Sequence, residues 1–411
     1  MIFEVADTFY FLTFFIASLT VGCFILISAG MCKNLFLLCL LATAFGHFIG
    51  SLIHMWLSTF MPSDSISYFL MATPEWRSFG SGFILNVVWY LREYVFGNSM
   101  LGVYVFFAFI GTLGSIFYLI SFHKLILYFK KFDKLYFNSR GIKFGYFLIA
   151  CWPSAFIWTS LLGKDTLCYF SISLFFLSLI SIINRAPSII SFIILIFSIV
   201  LSFLVRPYLV LIGFIAYLCW FFFSKKKHSG ILLQVVLVFL VVIGFTYLSH
   251  DISEFGGFDY SYGNIVQRAL VQQISLAGGS YIPVPTHNPY LLIFFLPYTM
   301  LANLFLPLFF WIRNTFGILA SIQNVLLLIL CYKFFKNRDV WRKIRNNLVI
   351  GYMFWYFIAG IGFMGMINTN LGLADREKLM YLPPFLIIIF LTLAIKKVSK
   401  KEQLKCVVSQ E

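Results

Sequence analysis

Apolar runs of about eighteen or more residues recur from one end of this chain to the other, and they constrain its fold more than any other feature. A stretch such as "FIILIFSIVLSFLV" (192–205) has no polar face to offer water. In lipid every backbone amide needs an internal partner, so only helices or a closed barrel can cross. The runs are far longer than the roughly ten-residue alternating strands of a barrel. The expected fold class is therefore all-α: a polytopic membrane protein, with residues 1–411 as a single integral membrane domain. The charge content agrees: 11% of residues are charged and mean hydropathy is +0.93, where a soluble domain carries about a quarter charged residues. The start is acidic (Glu4, Asp7) and runs on apolar to about Met31, which reads as a first span rather than a signal peptide. The eight cysteines show no CxxC spacing and read as small packing residues.

Spans are expected near 8–30, 34–56, 99–122, 144–162, 166–183, 188–205, 208–223, 230–249, 314–335, 347–367 and 382–396, about eleven transmembrane helices in all. The stretch 291–312 is apolar enough to cross, yet Pro297 and Pro307 lie inside it, and each breaks or kinks a helix. Basic residues gather in cytoplasmic loops, and this rule decides between the two possibilities. If 291–312 turns back, one side of the membrane holds Lys33, Arg185, Lys225–Lys227 and the basic groups within 123–143, 333–345 and 396–405. These are 22 of the 30 Lys and Arg. If it crosses, the last two groups move to the opposite face. A re-entrant or interfacial segment near 291–312 follows, with the N-terminus outside and the C-terminus inside. The long outer loops are then 57–98 and 250–313. The net charge of +15 is accounted for by inner loops meeting anionic head groups, and no nucleic-acid partner is expected.

With that orientation the unusual polar residues fall on one face. Lys164 and Asp165 stand between two apolar runs in "SAFIWTSLLGKDTLCYFSISLFF". Arg206 ends a span in "FLVRPYL", and Asp64 follows one in "MPSDSISYFL". Arg268 lies in the second long loop, and Asp375 and Arg376 lie in "NTNLGLADREKLMYLPP". Ionisable groups at membrane depth are costly and usually face a cavity or one another. Each also has a simpler role. Asp64 could cap the helix "SISYFL", Asp165 could be a first-turn acid, and Arg206 could reach out to head groups. Their convergence from distant sequence points to one site. His47 and His54 share a face of the second span at i, i+7. Asp251, Glu254 and Asp259 lack the spacing of a calcium loop, and no metal site or cofactor is expected.

The acid and downstream aromatic of "DSISY" (Asp64–Tyr68) after an early span resemble the first outer loop of GT-C glycosyltransferases. "WPSAFIWTSLLGKDTL" is similar to a Pro–Ser–Trp–Ser–Lys–Asp pattern of bacterial membrane glycosyltransferases, among them O-antigen and capsule repeat-unit polymerases. "LPYTMLANLFLPLFFW" and "NTNLGLADREKLMYLPP" resemble the same group, so that the likeness runs from about residue 60 to 390. An Arg–ten-residue–Gly pattern of those polymerases is met once, at Arg268 and Gly279. The resemblance implies a bacterial inner-membrane enzyme acting at the periplasmic face on oligosaccharide units carried by undecaprenyl pyrophosphate. A chain-length regulator is an expected partner beside membrane lipid. It also implies Asp64 as first choice for general base and Asp165 as second. Lys164, Arg206, Arg268 and Arg376 would face the pyrophosphate, with Asp375 orienting Arg376. The alternatives are a GT-C enzyme adding a single sugar from a polyprenyl-phosphate donor, a lipid-linked sugar flippase, and an acyltransferase using His47 or His54.

Overall fold

In the computed structural model the described residues are 5–31, 33–60, 63–76, 79–132, 135–183, 188–223, 282, 292–311, 315–368 and 370–395. Among them the architecture is helical, with one isolated β-bridge between Phe137 and Ile395. The expected span at 230–249, Arg268, and the acids and aromatics of 251–262 lie outside the described residues.

The central element is α5, Met100–Lys131. At 1.5 Å per residue its 32 residues reach about 48 Å, beyond the roughly 30 Å of a hydrocarbon core. Apolar residues cover all its faces, and it is buried along nearly its whole length, as expected of a helix with no polar stripe. Around it pack α1 (Val5–Ser28), α2 (Asn34–Ser58), α6 (Ser139–Ala150) and α8 (Lys164–Ile183). α9 (Ile189–Val205) lies on α8, and α10 (Pro207–Phe223) follows it after a single residue. That residue, Arg206, has an extended backbone, the conformation that a following proline favours. The C-terminal half adds α11 (Leu292–Phe305), α12 (Thr315–Lys336), α13 (Arg338–Ile344) and α14 (Leu348–Ile367). α15 (Leu371–Glu377) and α16 (Leu382–Ala394) complete it.

Among the described residues seven helical stretches are long and apolar enough to cross a membrane, or eight if the bent pair at the C-terminus counts as one span. They include α1, α2, α5, α8 and most of α12 and α14. The expected span 144–162 is a broken one: α6 and the short α7 (Pro153–Trp158) join at Trp152, and Pro153 takes the first helical position, where no amide hydrogen is needed. The segments at 189–205 and 207–223 are helical but shorter, 17 residues each. The last expected span holds only 13 helical residues and meets the preceding Leu371–Met380 segment at 65°. α11 has 14 residues with Pro297 inside and stops at Phe305. At about 21 Å it is shorter than the hydrocarbon core.

Two glycines allow the broken span to nest among its neighbours. A Cβ on Gly111 of α5 would lie 2.3 Å from the Thr159 carbonyl, and one on Gly50 of α2 would lie 2.4 Å from that of Phe156. Backbone therefore touches backbone on both sides of α7. The small helices α3 (Asp64–Leu70) and α4 (Ser81–Leu91) connect α2 to α5 at the same end of the bundle as the start of α8. Ser65 Oγ donates to the Leu162 carbonyl at 2.8 Å, and the Gly80 amide donates to the Leu204 carbonyl at 2.9 Å.

Candidate active site

The helix α15 organises the site. Asp375, Arg376, Glu377 and Lys378 follow one another, and at 3.6 residues per turn their side chains leave in four directions. Each meets a different part of the fold. Arg376 Nη1 donates to Asp64 Oδ2 of α3 at 3.0 Å, and its Nε donates to Asp165 Oδ2 of α8. Glu377 Oε1 accepts from Arg206 Nη1 at 2.7 Å, and its Oε2 accepts from Asn368 Nδ2 at 2.6 Å. Lys378, fully buried, donates from Nζ to Asn324 Oδ1 of α12 at 2.8 Å. Asp375 Oδ2 accepts from Trp158 Nε1 of α7 at 3.0 Å. Its Oδ1 lies 2.9 Å from Lys378 Nζ, an ion pair rather than a directed hydrogen bond.

The chain of contacts closes through Arg206, whose Nη2 donates to Asp165 Oδ1 at 2.7 Å and whose Nη1 also meets the Tyr208 hydroxyl. Asp165 is thus gripped by two guanidinium groups, one on each carboxylate oxygen. An isolated carboxylate so deeply buried would cost several kcal/mol; the paired arginines offset this, because their planar forks direct two donors each.

Local sequence explains why each group is placed so. In α3 the cap is Ser63, whose hydroxyl accepts from the Ile66 amide at 3.4 Å. Asp64 is therefore relieved of the capping role and points out toward Arg376. Asp165 sits in the first turn of α8, where the helix dipole favours negative charge. Arg206 stands at the elbow that Pro207 imposes between α9 and α10. Asn370 accepts from the Gly372 and Leu373 amides and so starts α15.

Of the sequence-predicted residues, Asp64, Asp165, Arg206 and Arg376 come together in one contiguous network. Asp375 adjoins it but meets Trp158 and Lys378, not Arg376; neighbours on a helix point about 100° apart. Lys164 lies beside the network and donates to Ser81 Oγ at 3.0 Å, with the Tyr68 hydroxyl 3.4 Å from the same oxygen. Sequence reasoning passes over Glu377, Lys378 and Asn368, and meets Trp158 only as part of the Pro–Ser–Trp–Ser–Lys–Asp pattern. The signal for Glu377 and Lys378 is the run of four consecutive charges at 375–378 in an otherwise apolar region. His47 lies apart from the network. It is buried between the Thr43 carbonyl (2.8 Å) and Thr159 Oγ1 (2.9 Å), so protein groups engage both ring nitrogens. His54 rests against the Trp158 ring.

Exposure grades the network from outside to inside. The Asp64 side chain is 61% exposed, that of Arg376 17% and that of Asp165 2%. The formal charges of Asp64, Asp165, Asp375 and Glu377 are matched by those of Lys164, Arg206, Arg376 and Lys378. Such an arrangement can present one exposed carboxylate with the Arg376 guanidinium beside it, joined to a buried set of ion pairs. Among the described residues no three His, Cys, Asp or Glu side chains are grouped to hold a metal ion. Compared with protein-family models, with curated proteins and with solved structures, the chain matches none.

Proposed function

We propose that the protein is a membrane glycosyltransferase that polymerises oligosaccharide repeat units carried on undecaprenyl pyrophosphate, at the extracytoplasmic face of a bacterial inner membrane. Its chain would cross eleven times, N-terminus outside and C-terminus inside, with the α11 region returning to the outer face. The observation that carries the reading is the position of Asp64: an exposed carboxylate 3.0 Å from Arg376, at the edge of a buried ionic network drawn from α3, α8, the α9–α10 elbow and α15.

The chemistry follows from those positions. The acceptor is a sugar hydroxyl, a weak nucleophile. As its oxygen bonds to the anomeric carbon of the donor, Asp64 takes the proton. The bond from that carbon to the pyrophosphate oxygen breaks, and the leaving group departs with the electron pair. Its growing charge is met by Arg376 and Lys164, fixed donors that need no reorganisation at that moment. Arg206 has Asp165 and Glu377 on its two amino groups, so its part is to hold Asp165, which in turn aims Arg376. Asp375 and Lys378 fix α15 from the opposite side.

The test is genetic and chemical. Deletion of the gene should leave one complete repeat unit on its lipid carrier, and surface polysaccharide should lose its ladder. Re-expression of the Asp64→Asn protein at normal membrane level should not restore it. Full-length ladders from that variant would remove Asp64 from the reaction. An incomplete unit on the carrier would instead make the protein an enzyme that adds a single sugar.

A further inference from the structure

A cavity of about 210 Å³ lies among α8, α9, α10 and α14, apart from the ionic network. Its walls include Phe175, Ile199, Val210 and Phe214, and among the described residues no charged side chain lines it. The polar groups at its edge are turned to protein. Ser202 Oγ donates to Ser171 Oγ at 2.9 Å, and the Tyr352 hydroxyl donates to the Gly213 carbonyl at 3.1 Å. Tyr356 brings one further hydroxyl, and the rest of the described wall is apolar; an apolar cavity of about 150 Å³ stays dry and takes benzene instead. The volume here is larger still.

The mouth indicates what enters. Ile199 is both a wall residue and 37% exposed, and Ile193, Ile196 and Val200 beside it on α9 are also exposed. The opening therefore gives onto the hydrocarbon-facing side of an apolar helix, where lipid chains are the solvent. The nearest cation in sequence, Arg206, is one turn beyond Ser202, and Asp165 and Glu377 engage both of its amino groups. Among the described residues no cation is left at the cavity to hold a phosphate.

We propose that this cavity takes the end of an acyl chain from a bilayer phospholipid, inserted sideways between α9 and α10 and packed against α14. The site is separate from the glycan reading and does not depend on it. The occupant is hydrocarbon without its head group, which distinguishes it from a polyprenyl carrier anchored by phosphate.

The experiment uses full-length protein in phosphatidylglycerol vesicles containing a phospholipid with a diazirine near the end of one acyl chain. After illumination, peptides are mapped by mass spectrometry. Label is expected on 209–214 and 352–356, in addition to the exposed face of α9. Val210→Trp should fill the space and abolish label on 352–356 while leaving Ile193 and Ile196 labelled. Val210→Phe serves the same purpose if the larger ring does not assemble. Undecaprenyl phosphate added in equal amount should leave the pattern unchanged. Three results would overturn the proposal: label confined to the α9 exterior, label on 352–356 that both filling variants retain, or displacement by undecaprenyl phosphate, which would mean that the carrier occupies the cavity.

Discussion

Arg376 and Asp64, 312 positions apart in the chain, meet at 3.0 Å through Nη1 and Oδ2, and the same guanidinium reaches inward to Asp165. One arginine thereby links the solvent-facing end of the network to its buried centre. It gives the two carboxylates different surroundings: Asp64 faces out, and Asp165 is buried.

Replacement of Asp64 by Asn should therefore separate activity from stability. An exposed ion pair contributes about 0–1 kcal/mol, so the melting temperature in detergent should change little. If Asp64 is the general base of the proposed transfer, its loss should slow that step by about 10²–10⁴-fold. Thermal unfolding and in vitro glycan extension on the same preparation check both halves.

Arg206→Ala should act in the opposite sense. It leaves Asp165 and Glu377 buried with fewer partners, and breaking a buried pair costs about 3–5 kcal/mol. Arg206→Lys should recover little, because one ammonium cannot span two carboxylates as a guanidinium fork does. The measurement is the melting temperature and membrane level of each variant against the parent protein.

Asp375 and Lys378 should show strong coupling. Lys378 is fully buried and its Nζ is 2.9 Å from Asp375 Oδ1. Asp375→Asn or Lys378→Met alone leaves an uncompensated buried charge, while the double variant leaves none. The double variant should be more stable than the sum of the single effects by about 0.5–3 kcal/mol. Additive effects in a double-mutant cycle would mean that the pair is not coupled.

The glycines around α7 make a steric prediction. Gly111→Ala places a Cβ 2.3 Å from the Thr159 carbonyl, while a Cβ on Gly362 has nothing within 4 Å. The first should destabilise by about 1–3 kcal/mol. The second should be neutral or stabilising by up to about 1 kcal/mol, the helix preference of Ala over Gly. Unfolding of the two variants side by side gives the comparison.

The proposed topology is checked with single cysteines and an impermeant thiol reagent in intact spheroplasts, on a background with native cysteines replaced. A cysteine at Ser81 should react, and one at Lys336 should react only after permeabilisation. Reaction at Lys336 in sealed spheroplasts would place the α12–α13 turn outside and end the shared-face reading.

Hydropathy is a local property, so the all-helical class and most helix positions could be read from sequence: α1, α2, α5, α8, α12 and α14 stand close to the expected spans. What length alone could not tell was how the shorter apolar pieces end. α6 and α7 break at Trp152, and α16, close to its expected bounds, meets the preceding segment at 65°, because prolines and neighbouring helices, not hydropathy, determine where a helix bends. The polar residues were similarly half legible. Their rarity in apolar surroundings singled out Asp64, Asp165, Arg206 and Arg376, since a charge near lipid needs a reason. Their pairing was decided only by the tertiary structure. Glu377 meets Arg206, 171 positions away, and Lys378 meets Asn324, 54 positions away; which face of α15 meets which neighbour depends on how the whole bundle closes around it.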